Sequence, residues 1–123
     1  WTWQDQYGFV QGHELTGAER VLYCAGQTSV DADGAPLHEG DMTAQIQQAI
    51  DNVETVLREA GFTLADVVRL NYFVTDVDAF VAAGAETGAR LEQAGCRPAS
   101  TLLGVARLAF PSLLVEIEAT AAR

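Results

Sequence analysis

Near its end the chain reads VEIEATA, residues 115–121. As a strand, this segment sends Val115, Ile117, Ala119 and Ala121 to one side and Glu116, Glu118 and Thr120 to the other. A glutamate on the wet side of a sheet is ordinary, because this residue type is rarely buried. A glutamate facing a pocket can instead move a proton. The other reactive types are sparse. Cys24 and Cys96 are the only cysteines, far apart and outside any CxxC, so neither a disulfide framework nor a zinc site is expected. His13 and His38 are the only imidazoles, and a metal would need carboxylates to complete its shell, so no metal is expected. Ser100 has no histidine or lysine base at a recognisable spacing, which makes its hydroxyl a pocket lining rather than a nucleophile. Cys24, among apolar strand neighbours, reads as a buried inert thiol. Cys96, in a helix-to-strand loop, is the more exposed candidate, but nothing marks it as activated.

Charge narrows the chemistry further. Asp and Glu number 17 against seven basic residues, all arginine, for a net charge of −10. Such a balance argues against nucleic acid, whose phosphates are bound by clustered cations. Without lysine, Schiff-base chemistry through a side-chain amine is excluded. No apolar run approaches the roughly 20 residues of a membrane span. The start, WTWQDQYG, has neither the basic nor the apolar region of a signal peptide, so a cytoplasmic protein is the expectation.

These residues need elements to position them. At 123 residues the chain is expected to form a single domain, 1–123, with a real core. YGFVQGHEL reads as a first strand and VLYCAGQTSV as a second, rich in β-branched and aromatic residues. A turn-rich loop, DADGAPLHEGD, leads into a helix whose stripe is Met42, Ile46, Ala49, Ile50, Val53, Val56, Leu57 and Ala60. Asp41 is placed as its N-cap and Gly61 as its C-terminal glycine. VVRLNYFVTD, residues 67–76, reads as a strand. A second helix is expected from Asp76 or Asp78 to about Ala94, burying Phe80, Val81 and Leu91 and keeping Gly84 and Gly88 for close packing. STLLGVARL and LLVEIEATA read as two strands whose short AFPS connection fits an antiparallel hairpin. The predicted fold class is α+β: one sheet with both helices on one face. The sheet's second face has nothing in so short a chain to cover it, so it is either solvated or packed on another copy.

Three stretches, in this order, resemble the Rid family (the YjgF or L-PSP proteins). They are FVQG…LYCAGQTSVDADG, AQIQQAIDNVETVLREAGFTLADVVRLNYFVTDVDAF and RPASTLLGVARL…LVEIEATA. The resemblance implies a chorismate-mutase-like fold and a homotrimer whose sheets line a central barrel, with small-molecule pockets between neighbouring subunits. It also implies enamine or imine deamination without cofactor or metal. In that pattern an arginine in P-A-R-S/T grips the substrate carboxylate through its planar fork, and the glutamate of the closing strand places a water or bonds the substrate nitrogen.

This sequence departs from the pattern. Its motif is Pro98, Ala99, Ser100, Thr101, with serine at the arginine position. Phe9 stands where deaminases commonly have tyrosine, Leu102 replaces a small polar residue or cysteine, and Gly84 falls where an asparagine is often found. Gly26 and Glu116 are retained. Arg97 and Arg107 differ in parity from Ser100 and are not obvious substitutes. The expected site is therefore Glu116 as the catalytic acid or base, with Phe9, Gly26, Gly84, Ser100 and Leu102 binding the substrate and Glu118 at the rim or interface. Trp1, Trp3 and Tyr7 either join Phe9 as an aromatic wall or simply pack an N-terminal arm. The substrate expected is an imine, enamine or carbonyl intermediate without a free α-carboxylate. The alternatives are a non-catalytic metabolite- or partner-binding homologue, and a standard 2-aminoacrylate deaminase using another anion-binding group, such as an arginine of a neighbouring subunit.

Overall fold

The computed structural model describes all residues, Trp1–Arg123. Four strands, β1 (Val21–Thr28), β2 (Val67–Val74), β3 (Ala99–Gly104) and β4 (Val115–Ala122), form one sheet in the order β1-β4-β2-β3. β4 runs antiparallel to both β1 and β2, whereas β3 is parallel to β2. The helices are α1 (Met42–Glu59), α2 (Val77–Ala82) and α3 (Gly84–Gln93). α1 links β1 to β2, and the α2–α3 pair links β2 to β3. Both are crossovers between parallel strands, which is why the helical layer occupies one face of the sheet. The α+β single-sheet reading is correct. No helix is long and apolar enough to cross a membrane.

The first helix forms as its sequence dictates. The Asp41 side chain accepts a hydrogen bond from the Ala44 amide at 3.0 Å, satisfying one of the first-turn donors. Its apolar stripe is buried from Met42 to Leu57, and Gly61 takes the left-handed backbone (φ 80°) that ends the helix. The stripe packs on the inward residues of the sheet: Leu70, Tyr72 and Val74 of β2, and Val115, Ile117, Ala119 and Ala121 of β4. Gln45, a buried polar residue within that stripe, donates to the carbonyls of His38 (3.2 Å) and Ser112 (2.9 Å) and accepts from the Leu114 amide (2.8 Å). It fixes the entry to β4.

Several expectations are corrected. Residues 7–15 do not form a strand. Trp3–Tyr7 is a short 3-10 helix closed by Gly8 at φ 73°, and only Val10 bridges, in parallel, to Ala99 on the outer edge of β3. Side-chain contacts rather than a ladder hold the rest of the arm: Asp5 pairs with Arg97, and His13 Nε2 meets the Arg97 carbonyl at 2.9 Å.

The last two strands are not a hairpin either. The connection after Gly104 carries the chain past β2 so that β4 enters between β1 and β2. The alternation of β4 explains this: four consecutive inward residues are buried, and only an inner strand can bury them against α1. Leu108 and Leu113 anchor the connection in the interior.

The second helix breaks at Ala83–Gly84 into α2 and α3, leaving Val81 63% exposed rather than buried. Neither Gly84 nor Gly88 is there for close packing, since a Cβ at either position would meet nothing within 4 Å.

Candidate functional site

The inward side of β4 is the core, so its alternate residues Glu116, Glu118 and Thr120 face the side without helices. Their neighbours in register there are Phe73, Asn71 and Arg69 of β2. The two glutamates share a face, as the alternation implied, but they are held differently. Glu118 accepts a hydrogen bond from Asn71 Nδ2 at 2.8 Å and is tied into the sheet. Glu116 belongs to none of the chain's three ion pairs. It lies half-buried between Thr28 of β1 and Phe73 of β2.

What positions Glu116 is a glycine. The β1–β4 register shifts between Cys24 and Gln27, a bulge that holds Ala25 and Gly26 out of the regular ladder. A Cβ at Gly26 would stand 1.9 Å from Glu116 Oε1 and 2.7 Å from its carboxyl carbon. The carboxylate therefore fills the space that any other residue's side chain would take, and these two predicted site residues are in direct contact.

The remaining predicted residues lie elsewhere. β2 and β3 are parallel, with Leu70 opposite Ser100 and Tyr72 opposite Leu102. Ser100 and Leu102 thus share the helix-side face with Leu70 and Tyr72, the opposite face from Glu116. Val77 of α2 confirms the sense, because its Cγ2 lies 3.0 Å from where a Cβ of Gly104 would be. At this outer edge the helical layer is incomplete, and Leu102 is 38% exposed. Gly84 marks the α2–α3 break with open space beside it. Phe9 adjoins Val10, whose amide donates to the Pro98 carbonyl at 2.9 Å. Its ring meets Trp3 edge to face, with centroids 5.8 Å apart. The N-terminal arm thus sets Phe9 beside the strand that carries Ser100. The predicted residues fall into two groups, Glu116 with Gly26 near the β1 edge and Phe9, Ser100 and Leu102 at the β3 edge. One chain does not bring these groups together.

Three of the seven arginines and both cysteines bear on the site. Arg97 is engaged by Asp5, and Arg90 by Asp51 and Glu54, so neither is free to hold an anion. Arg69, on the open face, bonds the Thr101 hydroxyl at 3.2 Å. It also lines two adjoining clefts of about 230 and 300 Å³, the first with Tyr23, Asn71, Glu118 and Thr120, the second with His13 and Ala99. Sequence reasoning did not single out Arg69, Asn71 or Tyr23; their parity with the outward side of β4 was the available signal. Cys24 is buried as expected, and burial pushes its thiol up. Cys96 is buried too, against expectation, because the α3–β3 turn folds it into the core; burial pushes its thiol up to about 12. Neither is an activated nucleophile.

Comparison with known proteins gives a consistent picture. The family described as Endoribonuclease L-PSP matches residues 7–123. The 2-iminobutanoate/2-iminopropanoate deaminase of Salmonella typhimurium is 33% identical over 116 residues, covering 94% of this chain and 87% of that protein. A solved protein of unknown function from Yersinia pestis, YyfB of the conserved Rid family, superposes with a TM-score of 0.87 at 40% identity, covering 98% of this chain and 90% of that one. The YjgF gene product of Escherichia coli does so with a TM-score of 0.75 at 32% identity, covering 94% and 87%.

Proposed function

From the premise that this chain belongs to the L-PSP (Rid) family, we propose that three copies enclose small-molecule pockets between neighbours, where Glu116 carries out acid/base chemistry on an imine, enamine or carbonyl compound lacking a free α-carboxylate. The observation that carries this reading is the separation of the two groups. Glu116 rests on Gly26 on one face of the sheet, and Ser100 and Leu102 lie on the other at the far edge. A pocket using both must take them from different copies, which also accounts for clefts in the single chain that include neither Glu116 nor Ser100.

The chemistry follows from what the residues offer. Water adds to the C=N carbon as the Glu116 carboxylate takes its proton. The resulting C–O bond turns the imine into a carbinolamine, and the protonated carboxyl returns the proton to nitrogen. As the carbinolamine collapses, its hydroxyl proton passes to nitrogen through the Glu116 carboxylate, the C=O bond forms and the C–N bond breaks, leaving a carbonyl and ammonia or an amine. Ser100 offers a neutral hydroxyl where a carboxylate anchor would need a guanidinium, so a substrate without that group is favoured. The family's ribonuclease name does not extend to this chain on electrostatic grounds: a net charge of −10 repels RNA.

Turnover of imines with and without a carboxylate is the direct assay. Glu116→Gln is expected to reduce turnover of the preferred substrate by about 10²-fold or more, and undiminished activity on every substrate would remove Glu116 from its role. The serine at position 100 also supports a second reading, a binding protein that has lost its chemistry; a ligand co-purifying and released unchanged would favour it. Ser100→Arg separates these cases from a standard deaminase. Hydrolysis of 2-iminopropanoate gained only by the variant would show a scaffold lacking just the anchor, whereas hydrolysis by the unaltered chain would show another anion-binding group at work.

A further inference from the structure

The open face of the sheet holds polar groups that one chain does not satisfy. Arg69 is the only basic residue in the four strands, and Glu116 and Glu118 are the only acids. All three stand on that face. Glu116 rests on Gly26, which leaves Arg69 and Glu118 as one cation and one anion. They are diagonal neighbours, since Arg69 is in register with Thr120 and Asn71 with Glu118. A long side chain can bridge that diagonal of roughly 7–8 Å, yet each turns elsewhere. Glu118 takes the Asn71 amide at 2.8 Å, and Arg69 reaches the other way, to the Thr101 hydroxyl of β3 at 3.2 Å. Arg69 thus joins no ion pair in a chain with 17 acids.

Asn71 shows what is missing. Its Nδ2 is engaged by Glu118, while its Oδ1 is buried and accepts no hydrogen bond. A buried acceptor without a donor is costly, and native structures rarely leave one. The cleft of about 230 Å³ beside it is lined by Tyr23, Arg69, Asn71, Glu118 and Thr120. Its acceptors, Asn71 Oδ1 and the Glu118 carboxylate, call for a donor, best a cationic one, from outside the chain. Arg69 is such a donor, and a second copy presents it on the same face. Tyr23, 80% exposed at this cleft, adds an aromatic side chain of the kind enriched where proteins meet.

We propose that the open face docks on a second copy of this chain, with Arg69 of one copy donating to the Glu118 carboxylate and Asn71 Oδ1 of its neighbour. The contact is self-complementary, because every copy carries the donor and the acceptors close together on one surface. This deepens the reading of a pocket shared between copies by naming the contact that holds them, and it rests on that reading for the number of copies. It also ties Glu116 to the charges beside it. Chains of net charge −10 repel one another, each Arg69–Glu118 contact offsets part of that repulsion, and loss of association removes the shared pocket.

Sedimentation velocity across a range of concentrations compares the unaltered chain with Arg69→Glu and Glu118→Arg. Each variant sets like charges against each other at the contact and is expected to weaken association by about tenfold or more. Glu118→Arg lowers the net negative charge, so weakening there does not come from overall repulsion. An equimolar mixture of the two variants should associate more tightly than either alone, because contacts between unlike copies are complementary in both directions. A pair confined to one chain gives no such rescue on mixing. Where a reversal unfolds the chain, as read by circular dichroism, Arg69→Met keeps the apolar stem without the charge and should weaken association by about threefold or more. Variants that associate like the unaltered chain, or a mixture no tighter than its components, would each overturn the proposal. Turnover that depends on Glu116 in an assembly indifferent to Arg69 would overturn this inference alone and leave the proposed function standing. A chain that stays monomeric would remove the shared pocket along with it.

Discussion

β4 belongs to two environments at once, and the contrast between the sheet's two faces organises the molecule. Toward the helices, Val115, Ile117 and Ala121 are fully buried, and burial alone specifies what may stand there. Toward the other side, Glu116, Glu118 and Thr120 are half-buried, and Tyr23 of β1 is 80% exposed. The covered face is complete within one chain. The open face has no helix over it and carries the half-buried Glu116 and Glu118.

The largest effect is expected on the covered face. Ile117→Ala removes a fully buried side chain from beneath α1 and should cost about 2–5 kcal/mol of stability, read as a lower urea midpoint. A loss below about 1 kcal/mol would mean that the interior of the sheet is not the packed layer described.

Gly26→Ala probes the open face at its tightest contact. The atom in the way is the end of the flexible Glu116 side chain, which can swing aside. Stability should therefore change little, while the displaced carboxylate lowers kcat by an amount approaching that of Glu116→Gln, on the order of 10²-fold. The double variant should lose no more than Glu116→Gln alone, because both substitutions remove one function. Additive losses would separate the two residues. A smaller effect is expected from Tyr23→Asp. It should leave the fold of the chain intact but weaken association by about tenfold or more if the open faces meet in the assembly, by sedimentation velocity. An unchanged assembly would place Tyr23 outside the contact.

The same contrast explains what the sequence made legible. The covered face could be read because burial leaves a period: 3.6 along α1, with its Asp41 cap, and 2 along β4. The pairing of Glu116 and Glu118 on one side followed from that period. Strand partners left no such mark. The VARL–AFPS segment is short enough for a hairpin, and nothing local says that β4 must cross to the sheet's interior, which is decided by four buried residues competing for α1. The arm misled for a related reason. Phe9 and Val10 look like strand residues, but the edge of β3 accepts one backbone bridge and side chains hold the remainder. Gln45 and Asn71 were invisible because their partners are distant in sequence. Cys96 looked exposed because a loop position says nothing about which way the turn folds.

The dryness of the covered side can itself be titrated. Cys24 and Cys96 both have thiols raised by burial, Cys96 from 9.0 to about 12, and burial, then the nearby Cys96, raise the Tyr72 phenol. An unfolded chain releases the Cys96 proton near pH 9, whereas the folded chain keeps it until about pH 12. Between these values the unfolded state binds fewer protons, so stability falls as pH rises; below pH 9 the contribution is fully present. The stability read from urea unfolding should decline as pH rises from 9 toward 12, by at most roughly 1.4 kcal/mol per pH unit for each such thiol. Cys96→Ala should flatten part of that decline without affecting the midpoint's behaviour near neutrality. If the alkaline slope is the same with and without Cys96, water reaches the thiol and the covered face is less closed than its packing implies. If it flattens, the face without helices stands out as the side on which titratable groups remain in contact with solvent or ligand, and that is where Glu116 lies.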